Sequence, residues 1–469
     1  MSLPKMWRPA LAGFVLALAA CASQQAGPQR VAATNPGESG SAVSQSGPPA
    51  AATEAFSPDL ATVEDREDAF DHVWHIVNDR FYDPSFNGVD WETVRLRYFP
   101  QLDWVRSDAA FYSLLGRMVG ELRDSHTRVY GARDYRNRIE SVMSTVGVRI
   151  AEVEGEVAVV EVFSATPAAA AGMRPGMIVA TINGAAAAAR LRRIDGEMSK
   201  DASPERRQRN IFGRMLGSRP GAPLVMEVRR DGDAGLQRFE LPRTELDVPV
   251  AVSSRVVEGN VGVIAFNRFR PDAAADVGRA LALLSETDGL IIDLRGNPGG
   301  NIGAMLSIAQ SFFPEARHVL TRRTRASGGP GPEGEASSQR TGPEVKITAN
   351  SRAYTRPLAI LIDGYSASSS EMLATVLREQ RDALIVGRPS CGCVVGVRGS
   401  GYRLAGGGAL YLAETGFVTP RGNRMEGTGI HPDREVALTL ADLRNRVDRD
   451  LLVAREWIVR QSHRAAEEH

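Results

Sequence analysis

The chain has 469 residues, with 56 basic and 56 acidic side chains and a formal net charge of zero. This length predicts several domains, and the hydrophobic content of 43% is typical of a soluble globular protein. The charge balance removes the electrostatic argument for nucleic acid as a main partner. Only three lysines are present, at positions 5, 200 and 346, so a mechanism that needs a lysine has few candidates.

Residues 1–21 have the features of a secretory signal: a basic start, a short apolar run and small residues before Cys21. The ending L-A-A-C resembles a bacterial lipobox, which implies that Cys21 is acylated and anchors a lipoprotein in the cell envelope, facing the periplasm. Ala22 favours the outer membrane. The alternative is an ordinary signal peptide with an incidental cysteine. Residues 22–57 lack large apolar side chains, and we predict a disordered tether there.

Residues 58–137 carry apolar side chains at helical spacing, which predicts a helical bundle. Residues 138–247 change to β-branched alternation with Gly-rich turns, which predicts a β module. The run from Gly172 to Gly184, GMRPGMIVATING, resembles a PDZ domain. That resemblance implies that the carboxylate of an extended peptide is received by Thr145, Val146, Gly147 and Val148.

Residues 248–447 alternate short apolar runs with helix-compatible segments, which predicts an α/β core, and residues 448–469 form a terminal helix or tail. The fold class is therefore α/β, in the sense of an α+β multidomain chain with a helical bundle, a PDZ-like module and an α/β core.

A strand, a turn and a helix follow one another around residues 358–378, with serines at the start of the helix. This position suits an acyl-transfer nucleophile, because backbone N–H groups and the helix dipole stabilise a nearby oxyanion. A serine-rich helix cap is the alternative. The turn of residues 293–300 is rich in glycine and lacks the lysine of a phosphate loop, so it predicts half of an oxyanion hole.

The motifs DLRGNPGG (residues 293–300), SASSSE (366–371) and GTGIHPD (427–433), together with the PDZ-like insertion, resemble the carboxy-terminal-processing (tail-specific) proteases and the related tricorn core proteases. The resemblance implies a crotonase-like protease core without a metal or other cofactor. It also implies that Ser368 is the nucleophile. The oxyanion donors would be backbone N–H groups of Gly299, Gly300 and Ser369.

Family members with a Ser-Lys dyad carry their lysine 25 residues after the nucleophile, where this chain has Cys393. A serine nucleophile still needs a base near neutrality, and histidine is the usual solution. The pair Ser125-His126 resembles the Ser-His pair of the tricorn branch, and Glu426 precedes the last motif as in that branch. The resemblance thus implies His126 as base and Glu426 as its orienting group, through Ser125 or directly.

Each assignment has an alternative: His126 could join helices, and Glu426 could lie in a surface turn. Cys391 and Cys393 are too few for a zinc site, and we predict that they form a structural or redox-labile disulfide.

The sequence thus predicts a serine endopeptidase that acts on periplasmic proteins or peptides and recruits them through the PDZ-like module. A catalytically inactive adaptor that binds peptides is the main alternative, and hydrolysis of a non-peptide ester is a third.

Overall fold

The structure is a computed structural model and describes residues 60, 62–139, 142–198, 203–217, 222–230, 235–247, 250–325, 342–399 and 401–467. The predicted signal, acylated Cys21 and tether of residues 1–57 lie outside these residues. Among the described helices, none combines the length and the apolar character that a membrane crossing requires.

The first part is helical, as the apolar spacing predicts. It consists of α1 (Val63–Arg80), α2 (Trp91–Tyr98) and α3 (Asp108–Gly120). The side chains of Thr62, Asp90 and Ser107 accept backbone N–H groups at the three helix starts, which satisfies donors that have no partner inside the helix. The apolar faces pack with residues of the 404–413 region in one core, so this part is continuous with the remainder of the protein.

Two elements connect the helices to the β module, β1 (Arg128–Tyr130) and α4 (Ala132–Ile139). The module contains strands β2 (Val142–Thr145), β3 (Val148–Val153), β4 (Glu156–Val162), β5 (Ile178–Ile182), β6 (Ala185–Ala186), β7 (Leu224–Arg229), β8 (Leu236–Leu241) and β9 (Thr244–Asp247). Its helices are α5 (Pro167–Ala170), α6 (Ala187–Glu197) and α7 (Pro204–Met215). The main sheet has the order β3-β4-β5-β7-β8 with antiparallel pairs, and β3 lies at one edge.

The core sheet contains β10 (Val252–Val257), β11 (Val261–Phe266), β12 (Gly289–Asp293), β15 (Leu358–Ile362), β16 (Leu384–Gly387) and β21 (Arg434–Glu435) in the order β10-β11-β12-β15-β16-β21. All pairs are parallel except β10 with β11. The other core elements are α8 (Pro271–Leu283), α9 (Ile302–Gln310), β13 (Arg317–Arg323), β14 (Glu344–Ile347), α10 (Ser369–Arg381), β17 (Val395–Val397), β18 (Tyr402–Arg403), β19 (Ala409–Tyr411), β20 (Ala413–Val418), α11 (Leu440–Asn445) and α12 (Arg449–Glu467).

Every residue of β15 is buried, because helices cover both faces of the sheet. α8, α9 and α10 pack on one face and α12 on the other. A strand that is covered on both faces consists of consecutive apolar residues, and Leu358–Ile362 has this composition. The α/β prediction for this region is confirmed.

The carboxyl ends of β12 and β15 place their following turns side by side. The Leu294 N–H donates to Leu361 O at 3.0 Å, and the Ala367 N–H donates to Asn297 O at 3.1 Å. Crevices at the carboxyl ends of parallel strands are the usual ligand sites of α/β sheets. The Gly-rich turn and the serine-rich turn therefore meet where a site is expected.

Candidate active site

Ser368 is the residue that precedes α10, and its backbone conformation is unusual. Its φ of 56° and ψ of −116° lie outside the regions that non-glycine residues ordinarily adopt. The Ser368 N–H is shared by two acceptors, Cys393 O at 2.9 Å and Glu371 Oε2 at 3.0 Å. Residues in such conformations persist only where neighbours hold them, and they concentrate at functional sites.

Glu371 anchors the turn that carries Ser368. It lies in the first turn of α10, is 1% exposed, and its two carboxylate oxygens accept four hydrogen bonds. The donors are Ser368 N at 3.0 Å, Ser390 Oγ at 2.5 Å, Gly392 N at 2.7 Å and Cys393 N at 3.0 Å. Burial raises the pKa of Glu371, and the four donors oppose that rise. The carboxylate therefore joins the 390–393 segment to the serine turn.

The serines around Ser368 bind the backbone of the Gly-rich turn. Ser366 Oγ donates to Leu294 O at 2.8 Å, Ser369 Oγ to Gly300 O at 3.0 Å and Ser370 Oγ to Asn297 O at 2.9 Å. Each of the three hydroxyls thus has a structural task. The role of Ser368 as nucleophile stays a prediction from the sequence.

Gly299 lies against the turn of Ser368, with φ at +90°. A Cβ at this position would lie 2.5 Å from Ala367 O, 2.8 Å from Ser368 Cβ and 2.9 Å from Ser369 N. Only glycine allows this approach. The Gly299 N–H donates to Asn297 Oδ1 at 2.9 Å, so in this conformation it is occupied within its own turn.

Ser125, His126 and Glu426 come together although Glu426 lies about 300 residues further along the chain. Glu426 Oε1 accepts the Ser125 N–H at 2.8 Å, and Oε2 accepts the Ser125 hydroxyl at 2.9 Å. Ser125 Oγ also lies 2.5 Å from His126 Nδ1. Ser125 and Glu426 are 3% and 6% exposed, so water does not compete strongly for these bonds.

Glu426 is also fixed to the segment that holds Ser368. The Val394 N–H donates to Glu426 Oε2 at 2.6 Å, and the preceding residue, Cys393, accepts the Ser368 N–H through its carbonyl. The segment of residues 393–394 therefore contacts both Glu426 and the backbone of Ser368, and Glu426 in turn binds Ser125.

Burial, together with the neighbouring carboxylate of Asp124, raises the pKa of Glu426 to about 7. Hydrogen bonds from Val394 N, Ser125 N and Ser125 Oγ oppose the rise, because they stabilise the charged form. Glu426 consequently changes its charge near neutral pH.

Position 393, where the Ser-Lys members carry lysine, belongs to a disulfide between Cys391 and Cys393. The predicted pairing of these cysteines is confirmed, and both are buried. Lys346, the lysine that lies within the described residues, is on β14 and pairs with Glu344 at 2.8 Å.

The residues predicted to receive a peptide carboxylate form the connection from β2 to the edge strand β3. Thr145 ends β2, Gly147 has φ at +90°, and Val148 begins β3. The Gly147 N–H donates to Thr145 Oγ1 at 3.0 Å, and Val146 and Val148 are buried.

Sequence reasoning missed the contacts between the β module and the core. Arg149, on β3, lies 4.2 Å above the Tyr365 ring, and Arg209 on α7 lies 6.0 Å from the same ring. Ser203 Oγ donates to Cys391 O. These residues belong to distant segments, and no motif in the sequence signals their proximity.

Comparison with known proteins gives two family matches. The model of peptidase family S41 matches residues 260–436, and the tricorn protease C1 domain matches residues 62–120. These matches cover the core sheet from β11 to β21 with its serine turn, and the helices α1 to α3.

Curated relatives share moderate identity with the chain. A carboxyl-terminal-processing protease of Synechocystis sp. is 28% identical over 377 residues, covering 77% of this chain and 79% of the relative. The carboxyl-terminal-processing peptidase 3 of Arabidopsis thaliana chloroplasts is 27% identical and covers 79% of this chain and 69% of that protein.

Two solved structures show the same fold. Mature CPAF superimposes with a TM-score of 0.64 at 14% identity, covering 85% of this chain and 98% of that one. The photosystem II D1 C-terminal processing protease gives a TM-score of 0.53 at 22% identity, covering 83% and 96%. The family matches and the relatives agree: the core of the chain, residues 260–436, is a peptidase family S41 domain, and the protein is a serine-type peptidase, a hydrolase.

Proposed function

We propose that this protein is an endopeptidase of Ser-His-Glu type, with Ser368 as nucleophile, His126 as general base and Glu426 as the orienting carboxylate. The observation that carries the proposal is the buried chain of hydrogen bonds from Glu426 through Ser125 to His126. It supplies the orienting group that a histidine base needs.

The relay defines the protonation of the imidazole. Because Ser125 Oγ donates its proton to Glu426 Oε2, its lone pair is the acceptor for a proton on His126 Nδ1. This leaves Nε2 of a neutral imidazole as the basic nitrogen. When Nε2 takes the Ser368 proton, an ionised Glu426 stabilises the imidazolium through Ser125.

In the acylation step, Ser368 Oγ forms a bond to the substrate carbonyl carbon while its proton moves to His126. The carbonyl oxygen becomes an oxyanion, and we assign its stabilisation to the N–H groups of Ser369, Gly300 and Gly299. The Gly299 N–H must first leave Asn297 Oδ1, which accepts it in this conformation. The closeness of Gly299 to Ser369 N supports this assignment. The imidazolium then gives its proton to the leaving amine, and water repeats the sequence to release the acyl group.

The β module would recruit substrate as a PDZ domain does. Support comes from β3, which is an edge strand and can accept an extended peptide by strand addition. The residues of the receiving loop are Thr145, Val146, Gly147 and Val148. The terminal carboxylate of a protein or peptide substrate is the expected ligand.

We further propose that Cys21 carries a lipid anchor and that the enzyme faces the periplasm. The support is the charged start, the short apolar run and the small residues before Cys21 in the sequence.

The test is peptide hydrolysis by wild type, Ser368→Ala and His126→Ala. Both variants should lose at least about 100-fold in kcat, since each removes a reacting group. Ser307→Ala, at an exposed position of α9, is the matched control and should keep wild-type activity. Wild-type turnover in Ser368→Ala would contradict the proposal, and cleavage of esters without any cleavage of peptides would favour a different hydrolase.

A further inference from the structure

Asp124 is a buried carboxylate that the proposed mechanism does not use. It directly precedes the Ser125-His126 pair and is 6% exposed. Its Oδ1 accepts the N–H groups of His126 at 2.7 Å and Thr127 at 2.6 Å. One oxygen thus fixes the backbone that carries the imidazole.

The second oxygen, Oδ2, is buried and has no hydrogen-bond partner among the described residues. Burying an unpartnered carboxylate oxygen is costly. The turn itself needs only Oδ1, and an asparagine amide oxygen could accept the same two N–H groups. Capping of the turn therefore does not explain why the residue is an aspartate.

The negative charge of Asp124 faces the relay. Its charge disfavours ionisation of Glu426, whose carboxylate binds Ser125, the residue that follows Asp124 in the chain. Two carboxylates in one buried site disfavour each other's charged form.

Arg206 and Tyr82 interact electrostatically with both Asp124 and Glu426, and three more arginines lie near these two groups. Arg206 and Arg209 come from α7, Arg128 from β1, Tyr82 from the segment after α1, and Arg424 from the segment before Glu426.

Two of these groups are joined to the site by hydrogen bonds. Arg128 Nη2 donates to Ser125 O at 3.3 Å, and Arg424 Nη2 donates to the Tyr82 hydroxyl at 2.8 Å. Arg206 interacts electrostatically with both Asp124 and Glu426. Arg206 therefore favours the charged forms of both carboxylates, and its effect on Glu426 is opposite to that of Asp124.

We propose that Asp124 is a positioning residue of the relay. Its Oδ1 fixes the backbone of His126, and the negative charge of its carboxylate favours the protonated forms of Glu426 and His126. The inference rests on the proposed function. A negative charge beside Glu426 and His126 increases the proton affinity of both groups, and it stabilises the imidazolium that forms during acylation.

The first test is the pH profile of kcat/KM for wild type and Asp124→Asn. Asparagine keeps an acceptor for the two N–H groups and removes the charge. The acidic limb of the profile should move to lower pH by about one unit, and kcat at the optimum should fall roughly tenfold. Asp134→Asn, at an exposed position of α4, is the matched control and should leave the limb unchanged.

A purely structural role for Asp124 predicts a different result. In that case Asp124→Asn would change kcat and leave the acidic limb where wild type has it, which would overturn the proposal. Asp124→Ala removes both functions and should lower kcat further than Asp124→Asn does.

A second readout does not require activity and separates this inference from the proposed function. In the Ser368→Ala background, the thermal midpoint is measured against pH with and without Asp124→Asn. The folded-state pKa of Glu426, about 7, is above its ordinary value. The stability linked to its proton is therefore present below about pH 4.5 and lost as pH rises towards about 7.

Asp124→Asn should reduce this loss of stability. Between about pH 5 and 7, the thermal midpoint of the Asp124→Asn protein should therefore rise relative to that of the protein that keeps Asp124. Equal slopes would overturn the inference about charge even if peptide hydrolysis by wild type confirms the mechanism. Conversely, Asp124→Asn could change the slope of the thermal midpoint against pH while wild type fails to cleave peptides. That result would support the coupling between Asp124 and Glu426 and reject only the proposed function.

Discussion

Ser368 and Glu426 are bound to consecutive residues of one backbone segment. The Ser368 N–H donates to Cys393 O at 2.9 Å, and the Val394 N–H donates to Glu426 Oε2 at 2.6 Å. Consecutive Cα atoms are about 3.8 Å apart. Because residues 393 and 394 bind the Ser368 backbone and the Glu426 carboxylate, they fix the distance between these two groups. The segment that contains the disulfide between Cys391 and Cys393 thus contacts both Ser368 and Glu426.

The Ser125 hydroxyl links the Glu426 carboxylate to the His126 imidazole, and its removal should slow catalysis without weakening substrate binding. We expect Ser125→Ala to lower kcat by roughly 10- to 100-fold with little change in KM, since Glu426 would no longer orient His126 through a hydrogen bond. Steady-state kinetics on a peptide substrate measure this effect. Ser113→Ala, at an exposed position of α3, should behave as wild type. An unchanged kcat in Ser125→Ala would show that the relay is not used.

The pKa of Glu426, about 7, predicts an acidic limb in the activity profile. Below that pH the carboxyl group is protonated and no longer stabilises the imidazolium, and an unperturbed histidine also gains a proton near pH 6.5. The value of kcat/KM should therefore fall as pH decreases from about 7.5 to 5.

Glu426→Gln removes one of these two titrations. Its kcat should be lower than that of wild type at about pH 8, and its acidic limb should be shallower, because His126 alone titrates. A flat wild-type profile from about pH 5 to 8 would contradict a histidine base.

The contact between Gly299 and the serine turn predicts a sharp effect of one methyl group. Gly299→Ala adds a Cβ that would lie 2.5 Å from Ala367 O, so the serine turn must move. We expect peptide hydrolysis to fall at least about 100-fold, since small displacements of reacting groups have large effects on rate.

Gly422→Ala is the matched control for Gly299→Ala. Gly422 has φ at +83° and open space around its Cβ position. Both variants carry the cost of a left-handed alanine, about 1–2 kcal/mol, and only Gly299→Ala adds a collision at the site. Equal activity in the two variants would argue against the assigned geometry.

Glu371 should be the most sensitive carboxylate for stability. Glu371→Gln turns an amide NH₂ group towards two of the four donors, which leaves buried N–H or O–H groups without an acceptor. We expect a loss of roughly 2–4 kcal/mol in the free energy of unfolding. Urea denaturation measures it. Glu379→Gln, a partly exposed position on the same helix, should cost less than about 1 kcal/mol, and a similar cost at both positions would refute the anchoring role.

Local patterns predicted the elements of the core well. Leu358–Ile362 and Val261–Phe266 are strands over the predicted residues, because continuous apolar runs fit strands that are buried on both faces. Helix ends were less exact. α8 begins at Pro271, because proline at the first helical position starts a helix that the apolar spacing alone does not reveal.

The sequence by itself determined the fold class, the family motifs and the pairing of Cys391 with Cys393, because each depends on residues that are neighbours in the chain. The roles of the site residues stay predictions. Only the tertiary structure decided that Glu426 binds Ser125 with both oxygens, that Val394 and Cys393 join the relay to Ser368, and that Asp124 lies beside Glu426. These contacts connect segments up to about 300 residues apart. Burial and charge at such a junction depend on how sheets and helices pack, which no local pattern encodes.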